Sequence, residues 1–395
     1  MRVSFGTMTI TDKAKKLIAE TLDNNRVTSG KLVREFEKEF ASFVGTKEAV
    51  AVSSGTDAIA IALAALKDYG ILSGREIIVP ALTFIATANA VVHAGFEPTF
   101  VDIKKETLNI DEDQIEGKMS RAVGGIVPVH LMGKPSNLFK IREVAAKWQV
   151  PIIEDCAEAH GATYYGKKVG TFGVAGCFSL YAAHIISSIE GGIITTNDKD
   201  FAEVCRSLRN HGRSCTCPMC VLNISPESCP KRFAQGHDQR FIHDRIGFSS
   251  KMNELEAAVG LGSIEIANWI IEKRRENFYY LQKGLAKFDE VYTISEDANE
   301  KIGPHAFPII FKMGGEENRD KFGEYLTSRE IDSRTLFQSI PTQSLAYSRY
   351  GYKVGEFPNA EYVSSNGIHI GVHQDMGKAE CDYVLEAIEK FLTQK

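Results

Sequence analysis

Apolar side chains in this chain recur either at helical spacing or in short continuous runs. In SGKLVREFEKEFASFVG, residues Leu32, Val33, Phe36, Phe40 and Phe43 follow the spacing of one helix face, which predicts an amphipathic helix. Runs such as AVAV, EIIVP and VPII are typical of buried strands, and AVAV leads through a polar turn into an alanine-rich helix. Strands that alternate with helices favour an α/β fold in which helices flank a mainly parallel sheet.

The pattern changes after about residue 253. NELEAAVGLGSIEIANWIIEKRRENFYYLQKGL predicts one or two long helices, followed by the β-rich HAFPIIFKM and a closing helix in AECDYVLEAIEKFL. We therefore predict a large domain at 1–252, with an N-terminal arm and a cysteine-rich loop at 213–233. A smaller C-terminal α/β domain is predicted at 253–395.

Polar residues follow several predicted strands, where parallel sheets bind their ligands. They are Asp102, His130, Asp155 and the turn Ser54-Gly55-Thr56. The turn offers free N–H groups at a helix start, which suit a phosphate, although it also fits an ordinary turn. Asp155 fits either a helix cap or a partner for a protonated cofactor ring nitrogen. Together with the serine-led loop SLYAAHIISSIEGG, these are the parts of a pyridoxal-phosphate site.

Composition and charge narrow the class of protein. The chain has 395 residues, 44% of them hydrophobic, and a net charge of −5, which gives no support for nucleic-acid binding. The N-terminus lacks the apolar segment of a signal peptide, and no run has the length of a membrane span. We therefore expect a cytoplasmic protein without nucleic-acid or membrane partners.

Four of the eight cysteines lie close together in sequence. Cys215, Cys217, Cys220 and Cys229 have the spacing C-x-C-x2-C-x8-C. In a reducing compartment such clustering favours a metal site over disulfides, and four thiolates suit zinc or an iron–sulfur cluster.

Over nearly its whole length, the chain resembles the DegT-type nucleotide-sugar aminotransferases, which have aminotransferase fold type I. The resemblance lies in VAVSSGTDAI, VPALTFIATANAV, PVHLMGKP, IIEDCAEAHGA, GCFSLYAAHIISSIEGG and FPNAEYVSSNGIHI. It implies that Gly55, Thr56 and Ser179 bind the cofactor phosphate, and that Ser54, next to Gly55, belongs to the same cofactor site.

The same resemblance implies roles around the cofactor ring. Phe84 would stack on the pyridine ring, Asp155 would hold the ring nitrogen, and Glu158 would contact the ring hydroxyl. Ser249 replaces an asparagine that usually lies near the phosphate of the dimer partner, and the resemblance implies a homodimer.

The lysine that binds pyridoxal phosphate covalently in the family is His184 here. Imidazole cannot form a Schiff base, but it transfers protons near neutral pH. The change resembles the sugar 3-dehydratases, which use noncovalent pyridoxamine phosphate to remove a hydroxyl group.

The cysteines resemble those of the CDP-4-keto-6-deoxyglucose-3-dehydrases, which carry an iron–sulfur cluster. Cys215, Cys217 and Cys229 match three of the ligands, whereas the position of the fourth is Ala157 here. Cys220 is our predicted replacement, with Cys156 as the alternative. The cluster is [2Fe–2S] or [4Fe–4S], and structural zinc is the other interpretation.

The predicted function is dehydration at C3 of a nucleotide-linked 4-keto-6-deoxyhexose, with electrons supplied by a flavin- or ferredoxin-type reductase. One alternative is a glutamate-dependent GDP-4-keto-6-deoxymannose 3-dehydratase, or a related sugar aminotransferase, with structural zinc. Another is a noncatalytic redox or metal sensor. His130, His160, Arg334 and residues 338–343 are further candidates for the sugar pocket.

Overall fold

A computed structural model describes residues 1–70, 74–215, 217, 220–221, 229–233 and 236–393. Its helices are α1 Asp12–Asp23, α2 Lys31–Val44, α3 Gly55–Asp68, α4 Ile85–His93, α5 Glu112–Lys118, α6 Leu138–Trp148, α7 Lys199–Leu208, α8 Glu254–Glu265, α9 Ala267–Leu285, α10 Gly315–Ser328, α11 Pro358–Asn366 and α12 Lys378–Thr393. Its strands are β1 Glu48–Val52, β2 Glu76–Pro80, β3 Glu97–Val101, β4 Val123–Ile126, β5 Ile153–Asp155, β6 Thr163–Tyr164, β7 Lys167–Lys168, β8 Ala175–Ser179, β9 Gly192–Thr196, β10 Val291–Tyr292, β11 Glu300–Lys301, β12 Ala306–Phe311, β13 Ser333–Thr335 and β14 Gly367–Gly371.

The predicted amphipathic helix is confirmed as α2. It buries Val33, Phe36 and Phe40 on one face and ends at Gly45, whose φ of 93° is a left-handed cap conformation. Glu254 from α8 accepts hydrogen bonds from the N–H groups of Gly30 and Val33, which would otherwise be unsatisfied at the start of α2.

The large sheet is mainly parallel, as the alternating pattern predicts. Strands β3, β2 and β4 are parallel, as are β5 and β8, while β9 runs antiparallel to both β8 and β1. Parallel bridges from Ile126 to Ile152 and from Val129 to Asp155 join the two groups of strands. The resulting order is β3-β2-β4-β5-β8-β9-β1.

The C-terminal part contains a separate antiparallel sheet of order β10-β12-β14-β13. The predicted long helical segment forms two helices, α8 and α9. Asn253 begins α8 with a capping box completed by Glu256. Because α8 packs on α1 and α2, the boundary at 252/253 stays a prediction.

The sheet positions the candidate site through its strand ends. The C-terminal ends of β5 and β8 meet the N-termini of α3 and α4, and residues next to β12 and β13 approach from the C-terminal sheet.

In the part of the chain that the structure describes, no helix combines the length and hydrophobicity needed to cross a membrane.

Candidate active site

A cavity of about 610 Å³ lies at these strand ends. Its lining includes every predicted cofactor residue except Ser249, together with the predicted catalytic residue. These residues are Ser54, Gly55, Thr56, Phe84, Asp155, Glu158, Ser179 and His184. Segments far apart in sequence thus converge on one cavity.

The turn before α3 has the geometry of a phosphate site. The Ser54 hydroxyl caps α3 by accepting a hydrogen bond from the Asp57 N–H at 3.0 Å. A Cβ on Gly55 would lie only 2.6 Å from the Cβ of Ser179, so the backbone approaches the end of β8 closely. This leaves the positive N-terminus of α3 beside a serine hydroxyl, an arrangement that fits a phosphate group.

Asp155 is buried and supplies a carboxylate to the cavity. It accepts hydrogen bonds from the Thr87 hydroxyl at 2.8 Å and from the Ala157 N–H at 3.1 Å. Burial raises its pKa above the ordinary value. Among the described residues, these two hydrogen bonds and the nearby His130 favour its charged form, and no lysine or arginine does so. A protonated ring nitrogen would therefore provide the missing positive charge.

Phe84 and Glu158 line other parts of the cavity. Phe84 precedes α4, and its side chain is 58% exposed, so its ring is free to contact a planar ligand. Glu158 accepts a hydrogen bond from the Met132 N–H at 2.8 Å. Burial, and then the charge of Asp155, raise the pKa of Glu158 to about 7. The carboxyl group is therefore suited to sharing a proton with a ring hydroxyl at neutral pH.

His184 has a defined tautomer. Its Nδ1 lies 3.2 Å from the Ser179 carbonyl oxygen, which only accepts hydrogen bonds. Nδ1 therefore carries the proton, and Nε2 keeps its lone pair on the cavity side. Burial, followed by the charges of Arg274 and Arg334, lowers the pKa of His184 to about 4. The imidazole is consequently an uncharged base at neutral pH.

The C-terminal sheet adds cavity residues that the motifs did not indicate. His305 precedes β12, His369 lies in β14, and Phe337 follows β13. Arg334, a candidate from the sequence, also lines the cavity, and its guanidinium lies 3.9 Å from the ring centroid of Phe5. No local sequence signal identifies the first three residues, because only the packing of the sheet brings them to the cavity.

Several other candidates lie elsewhere. Ser249 is exposed and forms a bridge with Asn210, so it does not line this chain's own cavity. Asp102 follows a strand as predicted, but it accepts hydrogen bonds from the N–H groups of Asn359 and Ala360 at the start of α11. Asp102 therefore caps a helix rather than binding a ligand.

His130, His160 and residues 338–343 are likewise absent from the lining of the described cavity. His130 Nδ1 accepts a hydrogen bond from the Ser136 N–H, so its Nε2–H donates to Glu154 at 3.2 Å. With Cys156, these two side chains form the only compact group of possible metal ligands among the described residues. The hydrogen bonds already use the nitrogen atoms of His130.

The four clustered cysteines line a second cavity, of about 330 Å³. Residues 216, 218–219 and 222–228 of the predicted loop lie outside the described residues. The Cys215 and Cys217 thiols interact directly, and burial together with this neighbour raises the pKa of Cys217. No three of the described cysteine sulfur atoms lie within 4.8 Å of one another.

The surroundings of the cysteine cavity are basic. Its lining includes Arg206, Arg209, Arg213, Lys231, Arg232, Arg240 and Lys251. Cys156 is not part of this lining. It is buried in the core, where its sulfur lies 3.4 Å from the position of a Cβ on Gly170. The structure therefore brings Cys220, but not Cys156, to the other three predicted ligands.

A solved structure of the Escherichia coli GDP-4-keto-6-deoxy-D-mannose-3-dehydratase with bound hydrated PLP superposes on this chain with a TM-score of 0.87. The identity is 28%, and the match covers 98% of this chain and 99% of that chain. The predicted aminotransferase fold type I is thereby confirmed. The model of the DegT/DnrJ/EryC1/StrS aminotransferase family matches residues 8–389, and the chain belongs to this family.

Similar proteins carry several different names. Lipopolysaccharide biosynthesis protein RfbH of Salmonella typhimurium is 32% identical, with 96% of this chain and 89% of the relative covered. GDP-perosamine synthase of Escherichia coli O157:H7 is 31% identical, with 98% of this chain and 97% of the relative covered. The dTDP-4-dehydro-2,6-dideoxy-D-glucose 3-dehydratase of Saccharopolyspora spinosa is 30% identical, with 93% of this chain and 82% of the relative covered.

Proposed function

We propose that this chain is a pyridoxamine-phosphate-dependent 3-dehydratase that removes the C3 hydroxyl of a nucleotide-linked 4-keto-6-deoxyhexose. The supporting observation is His184, an uncharged imidazole whose Nε2 lone pair faces a cavity with a phosphate cradle and a buried carboxylate. No lysine occurs among the described residues of that lining. Chemistry that requires a covalent lysine–cofactor bond therefore lacks its nucleophile here.

The cavity residues fit the cofactor. Gly55, Thr56 and Ser179 would hold its phosphate, Asp155 its ring nitrogen and Glu158 its ring hydroxyl. When bound, pyridoxamine phosphate supplies the amine that condenses with the sugar ketone and a conjugated ring that accepts electrons. Asp155 would keep the ring nitrogen protonated, because its carboxylate is buried and no lysine or arginine among the described residues stabilises its charged form.

His184 performs the proton transfer in this proposal. Its Nε2 would accept a proton from the carbon next to the cofactor ring, while its Nδ1–H stays hydrogen-bonded to the Ser179 carbonyl oxygen. The imidazole would then return the proton to the leaving hydroxyl oxygen. The low pKa of His184 keeps the free base present across the neutral range.

An iron–sulfur cluster on Cys215, Cys217, Cys220 and Cys229 completes the proposal. Tetrahedral zinc, with Zn–S bonds of about 2.3 Å, would draw all four sulfur atoms within about 4 Å of one another. The Cys217 thiol interacts with both Cys215 and Cys229, which supports a shared ligand set for either metal group. When bound, the cluster would transfer single electrons from a flavin- or ferredoxin-type reductase.

Two structural features favour a cluster at this position. Arg206, Arg209, Arg232 and Arg240 are paired with carboxylates, whereas Arg213, Lys231 and Lys251 form no ion pair among the described residues and would compensate part of the negative charge of four thiolates. Lys251, part of that lining, forms a bridge with Val52, two residues before Ser54. A short backbone connection thus links the two cavities.

We further propose a homodimer in which Ser249 lies near the partner's cofactor phosphate.

The second candidate is a glutamate-dependent 3-dehydratase with structural zinc. It is favoured by the similarity to the Escherichia coli GDP-4-keto-6-deoxy-D-mannose-3-dehydratase across nearly the full length of both chains. A sugar aminotransferase would agree with the family description and with the GDP-perosamine synthase relative. A noncatalytic sensor on the same scaffold would need the thiols but no cofactor.

One set of measurements separates these functions. Anaerobically purified protein is examined by absorption spectroscopy and then incubated with pyridoxamine phosphate, a reductant and CDP-, GDP-, UDP- and dTDP-linked 4-keto-6-deoxyhexoses. We expect iron–sulfur absorption at about 400–450 nm and a product that lacks one oxygen by mass spectrometry. A colourless zinc protein whose turnover needs glutamate supports the second candidate. An aminated sugar indicates an aminotransferase, and absence of cofactor binding indicates the sensor.

A further inference from the structure

Two imidazole rings meet in the cavity. The ring centroids of His184 and His305 lie 4.9 Å apart with an interplanar angle of 78°. His305 is 5% exposed, lines the same cavity and immediately precedes β12. The buried guanidinium of Arg274 donates a hydrogen bond to its backbone carbonyl at 2.9 Å. This hydrogen bond fixes the backbone of His305 beside the proposed base.

The two nitrogens of His305 differ in environment. Nδ1 is fully buried and has no hydrogen-bond partner among the described residues. Nε2 does not share this condition, and because His305 lines the cavity we infer that Nε2 faces it. A buried N–H without a partner is rarer and more costly than an unpaired acceptor. The proton of neutral His305 therefore belongs on Nε2, where it faces the cavity.

His305 remains uncharged in this setting. Burial and the nearby titratable groups lower its pKa well below the ordinary value. Those groups are His184 on its loop, Arg274 on α9, His369 on β14 and Arg334 on β13. The cavity thus contains a lone pair on one imidazole and an N–H donor on the next.

We propose that His305 is a second catalytic residue whose Nε2–H donates a hydrogen bond to the oxygen of the departing sugar hydroxyl. The inference rests on the proposed function. The C3–O bond breaks with its electron pair on oxygen, and the oxygen leaves as water with the proton that His184 carried. His305 gives up no proton. It stabilises the negative charge that develops on the oxygen.

The tautomers are tested first, in the absence of any reaction. Protein with ¹⁵N-labelled histidine is examined by NMR at pH 7 without cofactor, and His184→Asn and His305→Gln assign the two rings. We expect the Nδ1–H form for His184 and the Nε2–H form for His305. An Nδ1–H or doubly protonated His305 would overturn the proposal.

The second test compares two substitutions of His305. Glutamine keeps an N–H donor near the position of Nε2, whereas phenylalanine keeps the ring contact with His184 but has no donor. We expect His305→Phe to lower kcat by about 10²- to 10³-fold, and His305→Gln to retain activity within about tenfold of the parent. Equal losses, or full activity of His305→Phe, would overturn the assignment.

Cofactor affinity and thermal unfolding verify that both variants fold. A parent enzyme that removes no sugar hydroxyl refutes the proposed function and the role of His305 with it. An active parent with different tautomers or different variant behaviour refutes only the role of His305.

Discussion

Gly55→Ala tests the phosphate cradle directly. The added Cβ would lie 2.6 Å from the Cβ of Ser179 and 3.1 Å from its Cα and Oγ. Carbon atoms normally pack at about 3.5–4.0 Å, so the start of α3 and the end of β8 must separate by about 1 Å. Empty protein relieves the clash by this movement, whereas a bound phosphate requires both elements together. The strain therefore reduces cofactor affinity.

Overpacking of this kind costs about 1–3 kcal/mol, which corresponds to an affinity for pyridoxal phosphate about 5- to 150-fold weaker. Equilibrium dialysis of cofactor-free protein measures the dissociation constant. Gly117→Ala is the matched control, because Gly117 lies in α5 and an added Cβ meets nothing within 4 Å. The control should bind like the parent. Parent affinity in a correctly folded Gly55→Ala protein would refute a phosphate site between α3 and Ser179.

His184→Lys should form a covalent bond with pyridoxal phosphate, detected by mass after borohydride reduction, and lose deoxygenation by at least about 10²-fold; elimination at the parent rate would contradict the role of His184. Cys220→Ser should lose iron while Cys156→Ser retains the parent's iron content per chain, because only Cys220 lines the cysteine cavity; equal iron in both variants would refute this ligand set. The raised pKa of Glu158, about 7 against an ordinary 4.5, predicts a pH-dependent stability. The neutral carboxyl stabilises the folded state fully below pH 4.5, and this stabilisation is lost as the pH rises through 7. In denaturant unfolding without cofactor, the free energy of unfolding of the parent should therefore fall by about 1–3 kcal/mol more than that of Glu158→Gln between pH 5 and 8. Parallel pH profiles of the two proteins would exclude the raised pKa of Glu158.

The sequence by itself determined the features that depend on near neighbours. The spacing of Val33, Phe36 and Phe40 specified α2, because a helix face repeats every few residues. The turn at Gly55 and the strand end at Asp155 were also predictable, since parallel strands direct such ends to one edge. Comparison with family motifs then identified His184 as the replacement of a lysine. The mainly parallel sheet followed from alternating strands and helices.

Tertiary structure alone decided which distant residues meet. His305 reaches His184 across more than a hundred residues, because β12 belongs to a separate antiparallel sheet whose packing no local pattern encodes. The separation of Cys156 from Cys220 was decided in the same way, since Cys156 is buried in the core and Cys220 lines a surface cavity. The contacts of Asp102 were likewise not predictable from the sequence. Its position after β3 was predictable, but its hydrogen bonds to α11 depend on how the C-terminal part packs on the sheet.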